Sequence, residues 1–597
     1  MFEKLTHIKQ GAHYKWVALS NTTLGVLMAS INGSILIISL PAIFRGINLN
    51  PLAPGNINYL LWTLMGYLVC TAVLVVTFGR LGDMFGRTKM YNAGFAVFTV
   101  ASIALSLTPG HGSHAAIYLI AMRIVQGIGG ALLMANSTAI LADAFPQNQR
   151  GLALGINSIA AIGGSFIGLL VGGLLADVHW RLVFWVSVPF GLIGTIWAYL
   201  VLRDTTVRKA MRIDWVGNIT FAVGLVLLLV GINYGIQPYG GHVMGWLSPK
   251  VLTYIISGII LLIAFFIAEQ RVKQPMFDLR LFRIRAFTMA NLASLLSSIG
   301  RGGLQFMLII WLQGIWLPLH GYSFTRTPLW AGIFLLPLTA GFLIAGPLSG
   351  FLSDRYGARP FATGGMILGA ISFALLMLLP VDFPYWAFAC IILLQGIGSG
   401  LFASPNSAAI MNSVPASERG QASGMRATTM NAGMVLSIGV FFSLMIVGLS
   451  STLPHTMATQ LEQQHVPVSV ASQVASAPPV ASLFAAFLGY NPMARLVPAS
   501  VLHTLPQHNQ DVILGKDFFP NLISKPFMHG LQIAFTFSLI LFLLAAVASW
   551  LRGGRYVYEE HGTEDARTKR DEIEALEEMA GAYKMVLQED NDNGKND

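Results

Sequence analysis

Gly79-Arg80-Leu81-Gly82-Asp83-Met84-Phe85-Gly86-Arg87 returns as Gly350-Phe351-Leu352-Ser353-Asp354-Arg355-Tyr356-Gly357-Ala358-Arg359, keeping a G-x-L-x-D-x-x-G core between long apolar runs. Two further pairs keep nearly the same offset: Gln126-Gly127-Ile128-Gly129 with Gln395-Gly396-Ile397-Gly398, and Pro146 to Arg150-Gly151 with Pro415 to Arg419-Gly420. Offsets of 271, 269 and 269 residues at three independent places argue for duplicated halves, an organisation common among membrane transporters.

The runs flanking these stretches are about 20 residues long, enough to cross a hydrocarbon core of ~30 Å. They lie near 17–43, 57–79, 90–108, 115–141, 152–176, 182–202, 215–235, 250–268, 286–312, 329–350, 361–380, 385–411, 421–449 and 529–551. Lipid-facing backbone must satisfy its own hydrogen bonds, and the runs lack the period-two alternation of a barrel, so fourteen helices are predicted. With 54% hydrophobic and 11% charged residues, the chain falls outside the soluble range. The fold class is an all-α polytopic membrane protein. The offset divides it into a six-helix half at 1–203, an inserted helix pair with its connector at 204–284, a second half at 285–551 that includes a long loop at 450–528, and a charged tail at 552–597.

The net charge of +9 joins two regions of opposite sign: 30 Lys/Arg against 14 Asp/Glu up to Arg552, and 6 against 13 beyond it. The basic excess sits in short loops, at Arg80/Arg87/Lys89, Arg203/Arg208/Lys209/Arg212, Arg271/Lys273/Arg280/Arg283/Arg285 and Arg355/Arg359, which span alternation places on one side. The positive-inside rule makes that side cytoplasmic, with both termini, and Lys4, Lys9 and Lys15 agree. This basicity is a topology signal; no nucleic-acid partner is expected. Cys70 and Cys390 fall within spans and are expected to be buried thiols. Loop 450–528 is expected to be partly ordered against the outer surface through Phe484, Phe487, Leu488 and Tyr490, with a variable spacer as the equal alternative. Residues 564–588 carry a narrow apolar stripe that predicts a helix, either solvated, docked on its own protein, or an oligomer contact.

These motifs resemble the major facilitator superfamily, and within it the fourteen-span drug:proton antiporter branch. The stretch at Gly79 to Arg87 is similar to the signature loop of that superfamily, which implies a gate built from Gly79, Asp83, Gly86 and Arg87 and, in the second half, Gly350, Asp354, Arg355 and Arg359. Asp83 can accept hydrogen bonds from Arg87, and the glycines allow a tight turn. Arg123-Ile124-Val125-Gln126-Gly127 resembles the R-x-x-Q-G motif. A guanidinium inside a span is costly, so Arg123 is expected to face a central cavity, with Gln126 beside it.

Gly164-x-x-x-Gly168-Leu169-Leu170-Val171-Gly172-Gly173 is similar to the antiporter motif but has Leu169 where that motif has proline; the glycines are expected to pack helices closely. Trp180-Arg181-Leu182-Val183-Phe184 matches the opening of the sixth span. In the first span the branch carries an acid where this chain has Asn32. No acidic residue up to Arg552 falls near the middle of a span, so a coupled proton is expected on Asp83, Asp143 or the cargo.

Basic residues do enter spans: Arg123, Arg301 near the centre of the ninth, and Arg426, for which snorkelling to the interface is the equal alternative. A cavity with arginines and no carboxylate favours anionic or neutral amphiphiles. Trp62, Tyr67, Gln305, Gln313 and Asn431, with Asn136, Asn157, Trp311 and Asn406, each read singly as helix packing or an interhelical hydrogen bond, and together as the remaining lining of a cavity that binds by shape. The resemblance implies a monomeric secondary exporter of lipophilic or amphipathic compounds in the cytoplasmic membrane, working by alternating access with proton coupling. Export of an anionic lipid, fatty acid or natural product is the alternative, and a receptor of transporter fold that moves nothing is the alternative of another class. No enzyme, cofactor or metal is expected: no G-x-x-x-x-G-K-[ST] stretch or catalytic constellation occurs.

Overall fold

The fold is described from a computed structural model at residues 13–50, 53, 55–145, 150–203, 214–272, 275, 277–415, 418–489 and 491–553. The tail helix, Lys4, Lys9, Arg208, Lys209, Arg212 and Tyr490 lie outside the described residues, as does the side chain of Asp354.

Each of the fourteen apolar runs falls on a helix. The first six are α1 (Tyr14–Gly46), α2 (Asn56–Phe85), α3 (Arg87–Ser106), α4 (Gly112–Ala144), α5 (Arg150–Val178) and α6 (Leu182–Val201). Next come α7 (Trp215–Gly235), α8 (Pro249–Glu269), α9 (Arg285–Leu319), α10 (Thr327–Phe334 continued by Leu336–Tyr356), α11 (Ala358–Leu378), α12 (Tyr385–Asn412) and α13 (Arg419–Gln463). Five short helices follow, α14 (Val468–Ala475), α15 (Pro479–Phe487), α16 (Met493–Leu496), α17 (Ala499–Leu502) and α18 (Gln507–Leu514), before α19 (Phe518–Leu551). Among the described residues thirteen helices are long and apolar enough to cross a membrane. The 20-residue α3, with Arg87 and Lys89 in its first turn, completes the fourteen.

The sequence repeat reappears as a repeat of packing. Helix α1 lies against α5 and α6, and α4 against α2 and α3; in the same relation α9 lies against α13 and α19, and α12 against α10 and α11. Between the two sets, α2 meets α13 and α5 meets α10, a swap of equivalent helices. The turn after each signature stretch needs a backbone that side chains rarely adopt, with φ of 111° at Gly86 and 84° at Gly357, which is why glycine stands there twice.

The glycines of α5 line its contact with α1. A Cβ at Gly164 would lie 2.8 Å from the Leu27 carbonyl oxygen, one at Gly168 2.6 Å from that of Ile31, and one at Gly172 3.0 Å from that of Ile35. Gly173 turns to α10, where a Cβ would meet the Leu329 backbone at 2.5 Å. Trp180 fills the space left by Gly46, while Arg181 stacks on it at 4.4 Å and donates to the Thr108 carbonyl. With Leu169 in place of proline, α5 runs without a break.

Helices α7 and α8 pack mainly on each other, and α7 also touches α2 and α13. Asp214 caps α7 by accepting from Gly217 N, and Ser248 caps α8 ahead of Pro249. Cys390, expected to be buried, is exposed on α12, and Cys70 is half-buried.

The segment between α13 and α19 is more deeply placed than its composition suggests. All nine residues of α15 are buried. Phe484 stacks on Phe442 at 5.1 Å and Phe487 meets Phe306 at 5.0 Å, seating α15 among α9, α13 and α19. Helix α9 widens into a π-helical turn at Leu312–Trp316, where Gly314 lets the Ala486 carbonyl approach. The Arg45 guanidinium reaches the Leu488 carbonyl at 3.5 Å. Folding against the helix bundle, rather than lying on the outer surface, is what these aromatics do.

Candidate functional site

Three polar assemblies stand out in an otherwise apolar bundle. The first closes the end that carries the clustered basic residues. Arg87, at the start of α3, binds Asp83 at the end of α2 at 2.7 Å and Asp143 at the end of α4 at 2.7 Å, the latter through both carboxylate oxygens. One guanidinium thus ties three helix ends together, a geometry that suits its planar fork. Gly82 gives the Asn136 side chain its place and so keeps α2 close to α4, whereas a Cβ at Gly79 would make only ordinary contact with Ala135 at 4.0 Å. At the equivalent point of the second half the described contacts are aromatic. Arg359 lies over the Trp550 ring at 3.7 Å, Arg355 over Tyr356 at 5.5 Å, and Gly350 abuts Ser404.

The second assembly lies within the first half. Arg123 is 2% exposed. Its Nη1 donates to the Asn32 and Gln126 side-chain oxygens, its Nε to the Thr63 carbonyl at 3.4 Å, and its guanidinium lies 4.7 Å from the Tyr67 ring. Gln126 passes the chain on to Ser102 Oγ at 2.8 Å. Expected at a cavity surface, Arg123, Gln126, Asn32 and Tyr67 are instead brought together in a buried network, in which the Arg123 guanidinium is met by Asn32 on α1, Thr63 and Tyr67 on α2 and Gln126 on its own helix.

The third assembly lines a narrow pocket. Ser294, Ser297, Ser298 and Arg301 on α9, Ser399, Phe402, Ala403 and Asn406 on α12, and Arg426 and Met430 on α13 surround it. The residues on α9 and α12 both follow i, i+3, i+4, i+7 spacing, which is one face of a helix. Among the described residues neither arginine has a carboxylate partner. Arg301 lies 6.0 Å from the Phe342 ring, and Arg426 Nε and Ser399 Oγ are buried with no hydrogen-bond partner. Asn406 is held in place: its Nδ2 donates to Ser294 Oγ at 2.8 Å and to the Ala290 carbonyl, while its Oδ1 accepts from Arg552 at 3.0 Å. Two cations and the unpartnered Ser399 hydroxyl are chemically suited to negative charge or hydrogen-bond acceptors.

Other candidates are placed elsewhere. Gln313 is buried in the π-helical turn and donates to the Ile38 carbonyl at 3.4 Å, bridging the halves. Asn136, Asn157 and Trp311 are buried in helix contacts. Trp62 and Gln305 are half-buried, and Asn431, a turn from Arg426, has an unpartnered buried Nδ2. The four serines were missed by reading the sequence, since a single hydroxyl in a span is ordinary; for the three on α9, their shared spacing with Arg301 was the available signal.

The family model described as the Major Facilitator Superfamily matches residues 22–438. The chain is 27% identical to the tetracenomycin C resistance and export protein of Streptomyces glaucescens, over 89% of this chain and 91% of that protein. It is 29% identical to the multidrug resistance protein Stp of Mycobacterium tuberculosis, over 74% of this chain and 78% of that one. A bacterial homologue of the human lysosomal transporter Spinster, solved in an inward-facing unoccupied state, shares the fold, with a TM-score of 0.53 at 15% identity over 91% of this chain and 97% of that chain. The packing repeat, the two signature turns and the matched span make this chain a multi-pass membrane transporter that belongs to the Major Facilitator Superfamily.

Proposed function

We infer that the protein exports lipophilic and amphipathic compounds by alternating access, and that amphiphiles bearing an anionic group are its preferred cargo. The two halves, 1–203 and 285–551, rock about the centre while 204–284 rides between them. The basic end faces the cytoplasm, so both termini lie inside a cell membrane, and a single chain carries the path. Resistance and export relatives support efflux, and the resemblance to the fourteen-span antiporters supports proton coupling.

One observation carries the charge preference: Arg301 and Arg426 converge on a serine-lined cavity without a carboxylate among the described residues. A buried charge left unmatched is costly, so cargo that supplies the counter-charge gains most on entering. The test is competition in proteoliposomes among matched cationic, neutral and anionic amphiphiles. The native protein should favour the anion, and Arg301→Ala should weaken the anion by about tenfold or more, a loss of ~1.4 kcal/mol, while sparing the neutral compound. Preference for the cation together with indifference to Arg301→Ala would refute the anionic reading.

A further inference from the structure

Helices α7 and α8 carry a buried pair of acids that neither the cavity nor the Arg87 latch uses. Asp214 and Glu269 are 7% and 3% exposed. One oxygen of each is occupied: Asp214 Oδ1 accepts from Gly217 N at 2.8 Å and Glu269 Oε2 from Phe277 N at 3.1 Å. The others, Asp214 Oδ2 and Glu269 Oε1, have no donor among the described residues. Both lie over Gly217, where a Cβ would stand 2.3 Å from one and 2.7 Å from the other. Two buried carboxylates whose bare oxygens converge repel each other unless a proton lies between them.

We propose that Asp214 and Glu269 share one proton and form a proton-binding switch at the basic end, separate from the cargo cavity. The charged group facing them from α2 is Arg80, which acts electrostatically on both carboxyls and on Asp83, and which also donates to the Pro275 carbonyl. From α13, Gln421 reaches the same carbonyl and is neutral. The Thr77–Asn218 contact between α2 and α7 is neutral too. Beyond α8, Asp278 is occupied by Arg280 at 2.7 Å. Arg271, two residues beyond Glu269, is exposed, and Arg212 and Lys273 lie outside the described residues.

With the proton in place the pair carries one negative charge, matched by Arg80. Its release to water breaks a single O–H bond and sets two negative charges against the same guanidinium, drawing Arg80 away from Asp83. Arg80 and Asp83 belong to the stretch that latches Arg87, so the inserted helices gain a hold on the gate. This switch does not depend on which cargo the cavity takes.

The test uses the full chain in nanodiscs. Infrared difference spectra of the native protein on alkalinisation should lose a buried carboxylic-acid C=O band, and that band should be absent from both Asp214→Asn and Glu269→Gln. Amide hydrogen exchange over 79–90, corrected for intrinsic rates, should differ several-fold between mildly acidic and mildly alkaline buffer in the native protein and be flat in Glu269→Gln. The native titration needs no variant, so a substitution that fails to insert leaves the test decisive: no titrating acid band overturns the proposal. A band that persists in both variants, or an unaltered pH response of 79–90 in Glu269→Gln, overturns it as well.

Discussion

Asn32, at the position where the antiporter branch carries an acid, supplies Arg123 with an oxygen but no charge. Because Arg123 is enclosed, an acid at position 32 meets a guanidinium before it meets any cargo. Asn32→Asp is therefore expected to stabilise the fold by about 1–2 kcal/mol, the gain of a charge-assisted bond over a neutral one, and to leave cargo preference unchanged. A thermal melt in detergent and the amphiphile competition check both halves; a swing toward cations would put the pair at the cavity surface. The costly residues were legible in the sequence, since Arg123, Arg301 and Arg426 interrupt apolar runs. Which of them stays available for cargo was not, because Asn32 and Tyr67 lie on other helices and pairing across helices leaves no local pattern.

Helix contacts in this bundle are set by the residues that leave room. Gly168→Val would drive a branched side chain into the Ile31 backbone, 2.6 Å from the Cβ position, where no rotamer can relieve it. A loss of about 1–3 kcal/mol or more, read as a lower melting temperature and poorer insertion, is expected. Gly314→Val at the π-helical turn, 2.4 Å from the Ala486 carbonyl, should unseat α15 and expose 464–516 to protease while the other spans persist. The fourteen spans were legible because each had to be long and apolar. The short helices were hidden by a Ser-, Pro- and Gln-rich composition that reads as spacer. In retrospect the prolines punctuate it: Pro467, Pro478, Pro492, Pro498 and Pro506 each stand immediately before a helix, where a missing N–H costs nothing.

Across the whole molecule the two signature turns share a backbone, and the described partners of their arginines differ. Arg87 holds two carboxylates, whereas Arg359 rests on Trp550. Asp83→Asn removes one of the two charges on Arg87, and transport should fall to background in a protein that still inserts and melts normally. Export at the native rate by well-inserted Asp83→Asn protein would show that the latch is dispensable. The seat of α15 carries a different kind of consequence, one of timing. It is built from α9, α13 and α19, and α19 is the last of the spans to leave the ribosome. The segment that fills the seat is therefore made before the seat is complete. Until Phe518–Leu551 follows, the nascent chain lacks one wall of that seat, and its assembly ends only when a portion already synthesised folds back into place.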